Sequence, residues 1–354
     1  SSSLTGVAQE RRAVWASAGI LQGPAQSTAT RSEHEVFQTF LKQNIETLGQ
    51  ELASGKLADI TSRLGGDFTY LSDIETNLTR LDSHEIATNE ARLFSTGMQS
   101  SLDRIQTSVQ SMRDDLFSLM PTLRADDAKR FGDEGRGELV TTINKLNAWT
   151  GGRSLFAGTA TATSPLNSAD TLMTELVSEV SGLTTATDII QAVKDWFADP
   201  GGFDDAMYVG STNDLSPVEV ADGETVSLAL RADDPALKHP LQSFAIAALI
   251  NESALGLSDA TRVDLAKATA LELSDSNEQL IDKQAGIGFI ESQLDRVSSR
   301  NTATKTSLSI AKNNLVSADP YETYTRLEEA QLQLESLYSV TARSSQLSLL
   351  RYMS

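Results

Sequence analysis

The C-terminal part of the chain contains a sustained heptad repeat of apolar residues. One position of the repeat is held by Leu280, Ile287, Leu294, Asn301, Leu308 and Leu315, and a second position by Ile290, Val297, Thr304, Ala311 and Ala318. The pattern lasts for about five repeats, which is enough to specify a coiled-coil-type packing face. A single helix would leave this face in water, so another helix must cover it. The predicted helix-pairing seam consists of Ile287, Ile290, Leu294, Val297, Asn301, Leu308 and Leu315.

Asn301 is the polar exception within this seam. A buried amide at such a position can fix the helix register by pairing with a polar group on the partner and penalising slipped alignments. Alternatively, this position faces solvent or a groove. The sequence leaves the two interpretations equally open.

Other segments also carry helical signals. A capping box of Ser32 and Glu35 predicts the start of a first helix, and Gly55 its end. Apolar spacing over residues 67–119 predicts a long second helix, which Pro121 ends. Further helices are predicted over residues 126–147, 241–249, 258–314 and 321–351, with Pro320 as the break before the last one.

The middle of the chain changes character. Short helices are predicted over residues 170–182 and 188–197, and strands over residues 154–158, 206–209, 217–220 and 225–231. Asp222 and Gly223 fit the turn between the last two strands. This region is predicted to be a small α+β insert.

The predicted fold is mainly α, with long antiparallel helical rods in a coiled-coil-like bundle built from both chain ends. The first helix pairs with the last, and the second pairs with the long C-terminal helix. We expect five parts: an N-terminal arm (1–56), two halves of a long-helix domain (57–150 and 241–318), the outer insert (151–240) and a C-terminal arm (319–354).

The last helix carries an apolar stripe that is predicted to be an assembly interface. It comprises Leu327, Leu334, Leu337, Val340, Leu347 and Leu350. The stripe can form an intramolecular core, an intersubunit contact or both, because two paired helices cannot hide all of their apolar surface.

Composition and motifs argue against several classes of function. The net charge of −19, from 48 acidic and 29 basic residues, disfavours a nucleic-acid partner, since phosphate contacts need clustered Lys and Arg. The chain has no cysteine, and its three histidines, His34, His84 and His239, lie far apart in sequence. We therefore predict no metal site, and because nucleotide-binding, zinc-protease and hydrolase motifs are missing as well, we predict no cofactor and no catalytic site. No apolar run reaches the roughly 18 residues of a membrane span, so no membrane insertion is predicted.

Four stretches resemble bacterial flagellins, and within that family they resemble the hook–filament junction proteins. Residues 48–56 (LGQELASGK) resemble the family's QLSSGxR, and residues 151–158 (GGRSLFAG) resemble NGRYLFAG. Residues 286–301 resemble the penultimate helix of the family. Residues 318–335 (ADPYETYTRLEEAQLQLE), continuing to Leu350, resemble the terminal helix and are the most specific of the four.

This resemblance implies a non-enzymatic structural subunit that is exported unfolded through the flagellar type III apparatus. Helices from both ends would pair and assemble, and the insert would face outward. The implied partners are copies of the chain itself, the hook-side junction protein, flagellin and an export chaperone bound to the C-terminal arm. The implied location is extracellular, in the flagellum.

Two departures from the family and two alternative functions accompany the resemblance. Residues 15–32, with Gly19, Gly23 and Pro24, do not form a continuous helical pattern, and the stretch after Lys56 lacks the RINSAxDDAAG wording of filament flagellins. This second departure favours a junction protein. The near alternative is a filament flagellin, and the alternative from another class is a soluble coiled-coil adaptor.

Overall fold

The computed structural model describes residues 24–352, and their side chains except those of residues 24–32, 62, 344 and 347–352. Long helices dominate this part of the chain. The α-helices are α1 (Pro24–Ser54), α2 (Ile60–Leu64), α3 (Thr69–Leu119), α4 (Ala125–Leu146), α5 (Ala169–Glu179), α6 (Ala186–Ala198), α7 (Pro235–Leu249), α8 (Asp259–Val316) and α9 (Pro320–Tyr352). The strands are β1 (Trp149–Thr150), β2 (Arg153–Ser154), β3 (Val218–Ala221) and β4 (Glu224–Val226).

The chain divides into two compact units. The first (unit 1) comprises the residues up to Glu75 and from Leu308 onward, and the second (unit 2) comprises Thr76–Ser307. The predicted mainly α fold with antiparallel helical pairs and a small α+β insert is confirmed. The five-part division predicted from the sequence is finer than these two units and stays a proposal.

In unit 2, α3 and α8 run antiparallel, as their cross-helix hydrogen bonds show. Gln110 contacts Asn277 at 3.0 Å, and Gln99 donates to the Gln284 carbonyl oxygen at 2.8 Å. Farther toward the start of α3, Arg92 binds Asp295 at 2.9 Å. Residue numbers therefore rise along one helix as they fall along the other. The facing surfaces contribute to one core that includes Met98, Leu102, Ile105, Val109, Leu273, Leu280 and Leu294.

The rest of this core is built around α7, which is buried on nearly every side. Asp234 caps its first turn by accepting from the Ala236 N–H at 2.9 Å, and Pro235 occupies the first helical position. The helix therefore begins six residues before the predicted start at Leu241. Helix α4 packs closely against it, because Gly135 brings its backbone next to Ala247.

The predicted start of the first helix at Ser32 is wrong. Helix α1 begins at Pro24 and passes through Ser32 and Glu35. A proline at the first helical position lacks only an N–H that would have no helical partner there, and no helix breaker follows it before Gly49. The prediction that residues 15–32 form no continuous helix is therefore wrong for residues 24–32, whereas residues 15–23 lie outside the described residues.

Three of the predicted strands are shorter than expected, and the strand predicted over 217–220 is shifted by one residue to Val218–Ala221. Of the predicted strand 154–158, only Ser154 lies in a strand, β2, and residues 206–209 contribute an isolated bridge between Tyr208 and Leu166. The last strand ends at Val226 instead of residue 231. Its partner β3 follows Pro217, which has no N–H to extend the ladder. The turn predicted at Asp222 and Gly223 is present, with Gly223 at φ +69°.

Candidate assembly surface

The terminal helices α1 and α9 pack against each other in unit 1. Leu41 and Leu48 of α1 are 2% and 3% exposed, and Ala330 of α9 is 4% exposed. Tyr338 accepts hydrogen bonds from Gln38 and Lys42, which lower the pKa of its phenol. The predicted pairing of the first and last helices is therefore confirmed by direct contacts.

The segment that follows α1 lies beside the segment that precedes α9, and Lys56 pairs with Ser317 there in an antiparallel bridge. Leu57 N donates to the Val316 carbonyl oxygen at 2.9 Å, and Ala318 N donates to that of Gly55 at 3.0 Å. Gly55 has a φ of +67°, a left-handed conformation that ends a helix without the strain a side chain would bring. This short ladder fixes the register in which α1 meets the segment leading into α9.

Side chains around this ladder add polar contacts. Arg63 donates to the Ser317 carbonyl oxygen at 2.8 Å, and the Glu51 carboxylate accepts from the Ala58 N–H at 2.8 Å. At the start of α9, the Asp319 carboxylate caps the helix by accepting from Tyr321 N at 2.8 Å. Each contact gives a hydrogen-bond partner to a backbone group at or near a helix end.

The α1–α9 pair leaves a set of large apolar and aromatic side chains in water, which we call the assembly surface. On α1 these are Val36, Phe37 and Phe40, and on α9 they are Tyr321, Tyr324, Leu332, Tyr338 and Val340. Their exposed fractions range from 45% for Tyr338 to 82% for Tyr321. Exposed apolar side chains on a pair of helices make that pair a candidate for interaction with another protein.

The predicted stripe on the last helix divides between inside and outside. Leu327, Leu334 and Leu337 are half-buried, whereas Val340 is 55% exposed. The side chains of Leu347 and Leu350 lie outside those that the structure describes. Assignment of the stripe to assembly therefore stays a prediction, and the apolar positions exposed on α1 are an addition to it.

The residues of the predicted pairing seam differ in burial along α8. Ile287, Leu294, Val297 and Asn301 are buried, whereas Ile290, Leu308 and Leu315 are half-buried. Asn301 is 8% exposed, so the solvent-facing interpretation is wrong. Its amide donates to the Val220 carbonyl oxygen of β3 at 2.9 Å. This amide thus anchors the insert, a role that heptad spacing could not predict.

Charged pairs support the α3–α8 contact nearer the edge of unit 2. Lys305 lies 2.7 Å from Asp82 and 2.8 Å from Glu85. Hydrogen bonds to Asp82 and Glu85 raise the pKa of the Lys305 ammonium. Because all three side chains are well exposed, such ion pairs align the helices more than they stabilise them.

Among the described helices, none is both long and apolar enough to cross a membrane.

Part of α8 and all of α9 are similar in sequence to a known protein family. Residues 272–353 match the model of the bacterial flagellin C-terminal helical region. The chain carries a flagellin-type C-terminal region. This region begins inside α8 and includes all of α9. The predicted resemblance to flagellins is confirmed over these residues.

Comparison with whole proteins gives weaker similarity than the match to the flagellin C-terminal region. Among solved structures, a Vibrio parahaemolyticus protein provisionally described as flagellar hook-associated aligns with 18% identity and a TM-score of 0.48. The alignment covers 71% of this chain and 99% of that chain. A likeness at this level carries no argument about function. Comparison with curated protein sequences gives no match.

Proposed function

We propose that the chain is a structural subunit of the bacterial flagellum that forms the junction between hook and filament. The observation that carries this proposal is the exposed assembly surface on α1 and α9, helices whose C-terminal member belongs to the flagellin-type region. In this proposal, neighbouring copies and other axial proteins cover that surface. The chain performs no catalysis, and its role is mechanical connection through helix packing.

The energetic case rests on the same residues. Phe40, Phe37 and Val340 are 59%, 46% and 55% exposed in the α1–α9 pair. Complete burial of such side chains contributes about 1.5–3 kcal/mol each, so covering the exposed half contributes about 1 kcal/mol each. A subunit that contacts several neighbours gains this more than once, which offsets the loss of translational and rotational freedom on assembly.

The proposal extends to partners and location. Following the flagellin resemblance, the partners are other copies of the chain, the hook-side junction protein, flagellin and an export chaperone that binds the C-terminal arm. Export proceeds through the type III apparatus, and the assembled subunit is extracellular. The predicted interface residues Leu327, Leu334, Leu337, Val340, Leu347 and Leu350 belong to this proposal.

The sharpest test replaces side chains that the α1–α9 pair itself does not bury. Phe40→Asp and Val340→Asp place a charge on the assembly surface, and Gln50→Asp adds the same charge at an exposed polar position of α1. An unpaired charge in an apolar contact is costly. We expect the first two variants to require about tenfold or more protein to bind purified hook ends, the factor that corresponds to about 1.4 kcal/mol. Gln50→Asp should bind like the wild type.

Binding to hook ends is followed by electron microscopy, and helix content by circular dichroism. Unchanged binding by both Phe40→Asp and Val340→Asp, with helix content intact, contradicts the proposed surface. The alternatives give different results with the unmodified chain. A filament flagellin polymerises alone when seeded with filament fragments, whereas a coiled-coil adaptor forms a small fixed oligomer and ignores hook ends.

A further inference from the structure

The β3–β4 hairpin in unit 2 is held between α3 and α8 by polar side chains. On the α8 side, Asn301 donates to the Val220 carbonyl oxygen at 2.9 Å, and Gln293 reaches Glu224. On the α3 side, His84 approaches the Asp222 carboxylate at the hairpin turn. The second attachment brings an imidazole next to carboxylates.

His84, Glu219 and Asp222 form a cluster in which one potential ligand atom of each residue lies within 4.8 Å of the others. His84 Nε2 is 3.3 Å from Asp222 Oδ1. Ligand atoms of a tetrahedral zinc site, at about 2.0–2.1 Å from the metal, lie about 3.4 Å apart. The separation of these two atoms already has the span of a metal-ligand pair.

The surroundings of the cluster allow a metal to enter. The His84 side chain is 11% exposed, and that of Asp222 is 62% exposed, so the imidazole is held in place while the carboxylate remains reachable from water. The Nδ1 atom of His84 has no hydrogen-bond partner among the described residues. The neutral ring can therefore carry its proton on Nδ1, which leaves Nε2, the nitrogen that faces the carboxylates, able to bind a metal.

We propose that His84, Glu219 and Asp222 bind a divalent transition-metal ion of the Zn²⁺ type, with water in the remaining position. The donor set decides the metal class, because an imidazole nitrogen favours Zn²⁺ and its neighbours in the series over Mg²⁺ and Ca²⁺. Binding displaces any proton on His84 Nε2, which is released to solvent. The bound ion joins the hairpin turn to α3.

A second cluster, formed by His239, Glu272 and Asp275, is a poorer site despite similar spacing. Lys194 lies 2.5 Å from Glu272, where its ammonium opposes a second cation. Both ring nitrogens of His239 are already paired, Nε2 with Glu272 at 3.0 Å and Nδ1 with Gln279 at 2.9 Å. A metal would have to break these contacts, so this cluster acts as a closed structural network.

Arg80 makes the proposal more specific. Its guanidinium lies 3.0 Å from Asp222 Oδ2, so it shares the carboxylate that the metal needs and repels the cation. Removing this charge frees Asp222. We therefore expect Arg80→Gln to bind the metal more tightly than the wild type, whereas loss of a merely structural ion pair would have no such effect.

The test uses the full chain, stripped with a chelator, and titrates it with ZnCl₂ by calorimetry and with Co²⁺ by visible absorption. We expect one site per chain. His84→Gln and the exposed-ligand variant Glu219→Gln should each weaken binding by at least about tenfold, the loss that even outer-shell substitutions reach. His34→Gln, which removes an exposed histidine in unit 1, should bind like the wild type.

Circular dichroism checks that each variant keeps its helices, and Glu219→Gln serves as a ligand substitution at an exposed position. The proposal is overturned if the wild type shows no saturable binding. It is also overturned if His84→Gln and Glu219→Gln keep wild-type affinity, or if Arg80→Gln binds no more tightly. Loss of binding in His239→Gln alone would move the site to the second cluster and equally overturn the assignment.

Discussion

The close approach of α4 and α7 predicts opposite effects for the same substitution at two glycines of one helix. A methyl group at Gly135 would lie 2.5 Å from the Ala247 Cβ and 3.0 Å from the Phe244 carbonyl oxygen, whereas one at Gly137 meets nothing within 4 Å. Both obstructing groups belong to the backbone or sit directly on it. The helices must therefore separate to accept Gly135→Ala.

The magnitude of the effect is the difference in the free energy of unfolding between Gly135→Ala and Gly137→Ala. Replacing glycine by alanine inside a helix stabilises it by about 0.5–1 kcal/mol at either position. Overpacking in a close-packed interior costs about 1–3 kcal/mol, and only Gly135→Ala incurs this cost. Because the helix-propensity gain cancels, Gly135→Ala should be less stable than Gly137→Ala by about 1–3 kcal/mol.

Urea unfolding followed by tryptophan fluorescence measures this difference, since Trp196 is buried in unit 2 beside Phe197 and Phe203. With a slope of about 2 kcal/mol per molar urea, the two midpoints should lie about 0.5–1.5 M apart. Adding Ala247→Gly to Gly135→Ala removes the closest obstruction and should recover part of the loss. Equal midpoints for Gly135→Ala and Gly137→Ala would refute the argument that glycine is needed for this contact.

Two further predictions concern buried polar groups. Asn301→Ala leaves a hairpin carbonyl unpaired and should cost about 1–3 kcal/mol in urea unfolding, whereas Asn313→Ala, at an exposed position of the same helix, should be close to neutral. Burial opposes ionisation of Glu272, but hydrogen bonds from His239 and Lys194 outweigh it and hold the pKa of Glu272 below its usual 4.5. Ionised Glu272 therefore contributes to stability above pH 4.5, and this contribution is lost as the pH falls through the lowered pKa. The free energy of unfolding of the wild type should exceed that of Glu272→Gln by less in acid than at neutral pH. A difference that stays constant with pH would contradict the assignment.

Periodicity predicted the long helices because a repeat near 3.5 residues is a local property of the sequence. It could not predict which part of an apolar helix face meets its partner. In α1, Leu41 is buried and the adjacent Phe40 is exposed, although both belong to the same apolar spacing. Packing against α9 makes this distinction, and it depends on residues at the other end of the chain.

Sequence spacing could not predict the polar contacts of His84 and Asn301 in unit 2, for a similar reason. His84 and Asp222 come together only through folding, since α3 and the hairpin turn are far apart along the chain. The partner of Asn301 is likewise a backbone carbonyl of the insert, so no heptad position could identify it. Local signals such as Asp222–Gly223 were sufficient only where the chain contacts its own near neighbours.

The pairing of α1 with α9 also dictates an order of events when the chain is made or threaded from its N-terminus. Residues such as Gln38 and Lys42 are among the first of the described residues to emerge, yet their partner Tyr338 is among the last. All residues between Lys42 and Tyr338 must be out before the pair can close, and closing so long a loop carries an entropic cost that local contacts do not. All residues of unit 2, Thr76–Ser307, precede α9 in the chain and are therefore out before it. A chain interrupted before α9 would therefore expose the α1 side chains that α9 normally covers, such as Leu41 and Leu48.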